Sequence, residues 1–161
     1  MELNKYEVEH IFSFAADVDP KMWVQKLPTR ATRITGAIVG GKVWGPKING
    51  KLAPLGADWS KLYPNGIIQV DVRAMIETDD GASINLFYKG RLDLGSEEAA
   101  VEYSNGKFPP KMAFEVMPVM DTDDERYEWV NHCCCYAIGR VDFTADPIVV
   151  QYDVYRYKAL L

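Results

Sequence analysis

The stretch from Ile67 to Lys89 constrains the fold more than any other part of the chain. Ile68, Val70, Val72, Ala74 and Ile76 alternate with Gln69, Asp71, Arg73, Met75 and Glu77. A period of two marks a β-strand with one dry face. Asp79-Asp80-Gly81 interrupts the run and alternation resumes from Ser83 to Lys89, so the segment reads as a hairpin. The two faces decide its loop length. A three-residue loop with Gly81 left-handed sets Ile76 opposite Ile84, Ala74 opposite Leu86 and Val72 opposite Tyr88. Asp71 then faces Lys89, and Arg73 faces Phe87. A two-residue loop would oppose Ile76 to Asn85 and mix the faces, so the three-residue register is expected.

The same period recurs elsewhere. Tyr6, Val8, Phe12 and Phe14 alternate with polar residues, with His10 on the apolar side. Further strands are expected over 35–44, 111–117, 133–141 and 148–157. Turn clusters separate them, among them Gly45-Pro46, Asn49-Gly50, Pro64-Asn65-Gly66 and Phe108-Pro109-Pro110. One segment, 122–131, reads as helical, with Thr122 as its cap and Asp123, Asp124 and Glu125 suited to a first turn. Many short strands with few helices mean a β-sandwich or barrel. With 161 residues and 48% hydrophobic content, a single β domain over 1–161 is expected.

Charge and cysteine usage narrow the function classes. A net charge of −5 disfavours nucleic acid as a partner. No apolar run approaches the roughly 18 residues of a membrane span. The segment Met1–Glu7 lacks the regions of a signal peptide, so a cytoplasmic location is expected. All three cysteines are consecutive, Cys133 to Cys135, which excludes a disulfide framework and fits a reducing compartment. On a strand, Cys133 and Cys135 face one way and His132 and Cys134 the other, so no metal site is expected and the cysteines read as small core residues. There is no phosphate-binding glycine loop, dinucleotide fingerprint, paired-His motif or nucleophile elbow, and no cofactor is expected.

Three features can carry chemistry. In Gly56-Ala57-Asp58-Trp59 the flanking residues place Asp58 in a tight turn beside a large apolar surface. Desolvation there would raise its pKa and suit it to general acid or base work; the alternative is an Asp capping a turn, with Trp59 as a core plug. The polar face Asp71, Arg73, Glu77 is the solvated side of an open sheet, or the lining of a closed barrel that supplies a base and a fixed cation. Tyr88, Tyr103, Tyr127, Trp129, Tyr136, Tyr152, Tyr155 and Tyr157 furnish either a packed core and oligomer interface or the wall of a pocket for a small, partly aromatic ligand.

The ordered set Gly40-Gly41, Gly45-Pro46-Lys47-Ile48-Asn49-Gly50, Gly56-Ala57-Asp58-Trp59, Asp71-Val72-Arg73, Thr78-Asp79-Asp80-Gly81-Ala82, Tyr127-Glu128-Trp129-Val130-Asn131 and Tyr152-Asp153-Val154-Tyr155-Arg156 resembles the domain of unknown function 3237 family over nearly the whole chain. The resemblance implies one all-β domain, an antiparallel β-barrel of lipocalin-like or allene-oxide-cyclase-like type, with one or two short helical turns. It also implies a cofactor-free catalyst of ring-forming addition, a hydroxyl adding across an alkene, with Asp58, Trp59, Asp71, Arg73, Trp129 and Asn131 as pocket candidates. His132 and the cysteine run depart from the family pattern. The expectation is a cyclase or isomerase acting on a small aromatic or polyketide-like substrate. Asp58 would be its acid or base, Arg73 the oxyanion partner and Asp71 a relay, with Trp59, Tyr88, Tyr127, Trp129 and Asn131 around the substrate. The alternatives are a barrel that binds a small hydrophobe without transforming it, and a homo-oligomeric structural protein.

Overall fold

The computed structural model describes residues 3–160; Met1, Glu2 and Leu161, the extremes of the expected domain, lie outside the described residues. Its strands are β1 (Lys5–Val18), β2 (Trp23–Lys26), β3 (Thr32–Trp44), β4 (Gly50–Leu62), β5 (Ile67–Thr78), β6 (Ser83–Asp93), β7 (Lys111–Asp121), β8 (Cys134–Asp142) and β9 (Val149–Leu160). They form one antiparallel sheet in the order β1-β9-β8-β7-β6-β5-β4-β3-β2. β1 also pairs with β3, from Ser13 opposite Trp44 to Val18 opposite Ile38, which closes eight strands into a barrel and leaves β2 as an extra edge strand. A closed antiparallel barrel without sheet edges along most of its wall is the expected class.

Alternation sorts the wall. On β5, Ile68, Val70, Val72, Ala74 and Ile76 are buried inside, where they meet Leu86, Ile84, Val116, Ala137 and Val154. The hairpin has the three-residue loop: Ile76 lies opposite Ile84, Ala74 opposite Leu86, Val72 opposite Tyr88, Asp71 opposite Lys89 and Arg73 opposite Phe87. The Thr78 N–H donates to the Ala82 carbonyl and Gly81 has φ +93°, as a left-handed loop residue must.

Several expectations are corrected. Tyr6 and Val8 are exposed, because among the described residues β1 before His10 pairs only with β9, in a two-stranded arm outside the barrel. A bulge between His10 and Phe12 then breaks the alternation, so Ile11, Phe12, Ser13 and Phe14 are all buried. The segment 122–131 is a 3-10 helix over Glu125–His132 capped by Asp124, whose carboxylate accepts from the Arg126 N–H; Thr122 is not its cap. The α-helix α1 (Glu97–Ser104) was not expected: Ser96 caps it and Glu97 and Glu98 occupy its first turn, but with little amphipathic periodicity. Of the three cysteines only Cys135 is buried, and Cys134 is exposed.

Gly56-Ala57-Asp58-Trp59 is not a turn but the middle of β4. Gly56, at φ +115°, sits in a bulge where four residues of β4 advance against two of β5, between Leu52 opposite Ile76 and Gly56 opposite Ala74. A Cβ there would run into the Arg73 carbonyl oxygen. Gly56→Ala is therefore expected to destabilise by about 2–3 kcal/mol. Gly81→Ala, at an open loop tip with no neighbour within 4 Å, should cost about 1 kcal/mol. Urea unfolding midpoints test that order.

Candidate active site

Closure gives the barrel two ends. One carries the Thr78–Ala82 loop and the 3-10 helix; the other carries α1 and the β8–β9 connection. At the α1 end Ile34 of β3, Met112 of β7 and Val150 of β9 pack against the core while only partly buried, as do Tyr103 of α1 and Phe143. Phe143 stacks on Phe108 at 4.7 Å, and Tyr103 meets both edge-on. These side chains make an apolar rim.

Asp58 sits beneath the rim. It lies opposite Gly36 of β3 and Val72 of β5, on the inner face with buried Ser60 and Leu62. Burial raises its pKa from 3.8 to about 6. The Ser60 hydroxyl, donating to Oδ1 at 2.7 Å, pulls the other way, as do the backbone N–H groups of Asp71 and Ser60; the Asp71 carboxylate adds a smaller upward push. Protein atoms crowd the Asp58 carboxylate while the residue keeps an accessible fringe. The crowding governs its pKa, and the fringe is what a ligand would reach.

Deeper inside, Tyr88 and Tyr152 are buried with ring centroids 5.1 Å apart, and Tyr152 stacks on Phe14 at 4.5 Å. Gly139, opposite Tyr152 on β8, leaves the space that this ring and Phe114 fill. Burial drives both phenol pKa values upward, and the Asp58 charge adds to the effect, so both hydroxyls stay protonated at neutral pH. Tyr103 is pushed up to about 12 by the same two causes. The arrangement is a carboxylate poised near neutrality beneath an apolar rim, with neutral buried phenols deeper in the barrel, a pattern suited to proton transfer.

Of the residues expected at the site, Asp58 and Tyr88 converge. Trp59, Asp71 and Arg73 lie on the outer face, which corrects the inward-facing alternative for the polar side of β5. Trp59 is 38% exposed, neither a core plug nor a wall of the barrel mouth, with the Arg73 guanidinium 6.0 Å from its ring centroid and Arg33 donating to its carbonyl at 2.7 Å. With Gln25, Arg33 and Thr35 they line an outer groove of about 510 Å³. Glu77, also outside, pairs with Lys51 at 3.0 Å.

Tyr127, Trp129 and Asn131 belong to the opposite end and fasten the 3-10 helix there. The Tyr127 hydroxyl donates to the Asp80 carboxylate at 3.0 Å, Asn131 bonds both the N–H and the carbonyl of Thr122, and the Lys47 ammonium lies 5.6 Å from the Trp129 ring centroid. Cys133 donates to the Trp129 carbonyl at 3.2 Å, and burial raises the Cys135 thiol to about 12. Among the described residues, no three His, Cys, Asp or Glu side chains converge in a metal-holding group. No helix among them is long and apolar enough to cross a membrane.

Sequence reasoning left Ser60 out and named Tyr103 and Tyr152 only in the aromatic crowd. The available signal was the alternation Val150, Tyr152, Val154, which puts one hydroxyl on an otherwise aliphatic inner face.

The sequence model of the family described as "Protein of unknown function (DUF3237)" matches residues 6–157. A UPF0311 protein of Rhodopseudomonas palustris strain TIE-1 is 30% identical over 147 residues, covering 90% of this chain and 94% of its own. Among solved structures, a protein of unknown function from Clostridium acetobutylicum superposes with a TM-score of 0.83 at 24% identity, over 96% of this chain and all of the other. A β-barrel-like protein from Acinetobacter baumannii gives 0.77 at 28% identity, over 98% and 99%. An enzyme from Penicillium herquei gives 0.68 at 19% identity, over 98% of each chain. The first and last of these are likenesses of fold.

The raised Asp58 pKa has a thermodynamic consequence. The folded state holds this proton more tightly than the unfolded chain, so the stabilisation is complete below about pH 4 and is lost as pH rises through about 6. Asp58→Asn, uncharged throughout, should match the parent at pH 4 and exceed it above pH 7 by up to about 3 kcal/mol. Thermal melts at both pH values test this; a stability difference independent of pH would refute the desolvated carboxylate.

Proposed function

Because the chain belongs to the DUF3237 family of proteins of unknown function, its activity has to be read from its site, and we propose that it is a cofactor-independent acid–base catalyst of ring closure. The substrate class is a small aromatic or polyketide-like molecule carrying a hydroxyl and an activated alkene. The observation that carries the reading is the inward Asp58 carboxylate, raised to about 6, with the buried phenols of Tyr88 and Tyr152 deeper in the barrel. The fold's likeness to an enzyme from Penicillium herquei supports it.

In this scheme Asp58 accepts the proton of the substrate hydroxyl, the freed oxygen attacks the alkene carbon, and negative charge moves to the conjugated carbonyl oxygen. Neutral phenols of Tyr88 and Tyr152 donate to that oxygen, the role the sequence reading gave to Arg73. The proton on Asp58 then returns to the neighbouring carbon, so the product is an isomer of the substrate and nothing is consumed. The apolar rim of Ile34, Tyr103, Met112 and Val150 excludes water and holds one conformer for closure.

Cyclisation of ortho-hydroxychalcone, a phenol with a conjugated alkene in reach, is a direct probe because ring closure bleaches its absorbance. The protein is expected to accelerate it above the solution rate, with activity rising through an apparent pKa of about 6. Asp58→Asn should lower the rate by about 10²–10⁴-fold, Tyr152→Phe less, and Arg73→Gln not at all. Saturable binding of this and related phenols without acceleration would favour the small-hydrophobe carrier instead.

A further inference from the structure

The outer wall holds an apolar patch that the barrel does not use. On β6 and β7 the outward side chains form rows: Asn85 beside Asp121, Phe87 beside Val119, Lys89 beside Met117 and Arg91 beside Glu115. The middle of this surface is apolar and open to solvent, with Phe87 37%, Val119 61% and Met117 65% exposed. Contiguous apolar side chains this exposed, rimmed by charge, mark an interaction surface. Within these two strands the charges are ordered: the cations, Lys89 and Arg91, are on β6 and the carboxylates, Glu115 and Asp121, are on β7, while Arg73 and Asp71 of β5 flank Phe87 and Lys89. Among the described residues none of the four on β6 and β7 is in an ion pair, although Asp121 accepts from Asn85 at 2.6 Å.

We propose that this face is the contact surface of a homodimer, with a two-fold axis lying parallel to the strands between β6 and β7. Such an axis lays β6 of one copy over β7 of the other, row upon row. Phe87 then packs on the second copy's Val119, and the Lys89 stem covers the second copy's Met117. Arg91 reaches the second copy's Glu115, and each contact is made twice. Face-to-face sheets pack about 10 Å apart with strands some 30° out of line, a mismatch that long Arg and Glu side chains absorb. The occupant follows from the charge pattern: a surface with its cations on one strand and its acids on the next is its own complement under this rotation.

Sedimentation velocity on the full chain tests the proposal. The parent is expected to be a dimer at ~100 μM, and Val119→Lys a monomer with unchanged circular dichroism, since the side chain points outward. Arg91→Glu and Glu115→Arg should each weaken association by about tenfold or more, and the double reversal should restore it. A monomeric parent, a dimer indifferent to Val119→Lys, or a double reversal that fails to restore association would each overturn the assignment.

Discussion

The ladder between β1 and β3 is the contact on which the rest of the molecule depends. Without it the nine strands would be an open sheet with two faces and two edges. With it, every inward side chain from eight strands shares one small dry volume. Phe14 of β1 reaches Tyr88 of β6 across that volume, and Tyr152, the Phe14 partner on neighbouring β9, completes the cluster. The high pKa values of Asp58 and the two phenols are consequences of the same closure, because water is removed from all of them at once.

Bulges make closure compatible with an inward carboxylate. The β4 strand gains two residues over β5 before Gly56, an even number, so alternation resumes in phase and Asp58 still faces inward. A shift of one residue would send Asp58 to the outer groove and Trp59 into the barrel. The acid–base reading therefore rests on backbone geometry at Gly56 as much as on the carboxylate itself.

Much of the fold was legible because period-two patterning and turn chemistry are local. The Asp79-Asp80-Gly81 loop and the five register pairs around it follow from keeping apolar residues on one side, and the structure keeps them there. Where the pattern depended on partners, it misled. Tyr6 and Val8 carry the alternation of a covered strand, but they sit on an arm where, among the described residues, β1 pairs only with β9. Gly56 reads as a turn because a positive φ serves a reversal and a bulge equally well. The candidate site was half legible: the sequence singled out Asp58 and Tyr88, which share the barrel interior, but grouped Trp129 and Asn131 with them although the 3-10 helix lies at the opposite end.

By itself the sequence determined the all-β class, the hairpin register and the residues able to carry proton chemistry, since each depends on neighbours a few positions apart. Only the tertiary structure decided which of those residues meet. Asp58, Asp71 and Arg73 are close in sequence and on adjacent strands, yet the barrel wall runs between Asp58 and the other two. The physical reason is that strand alternation assigns a side chain to a face, but closure decides which face is the inside.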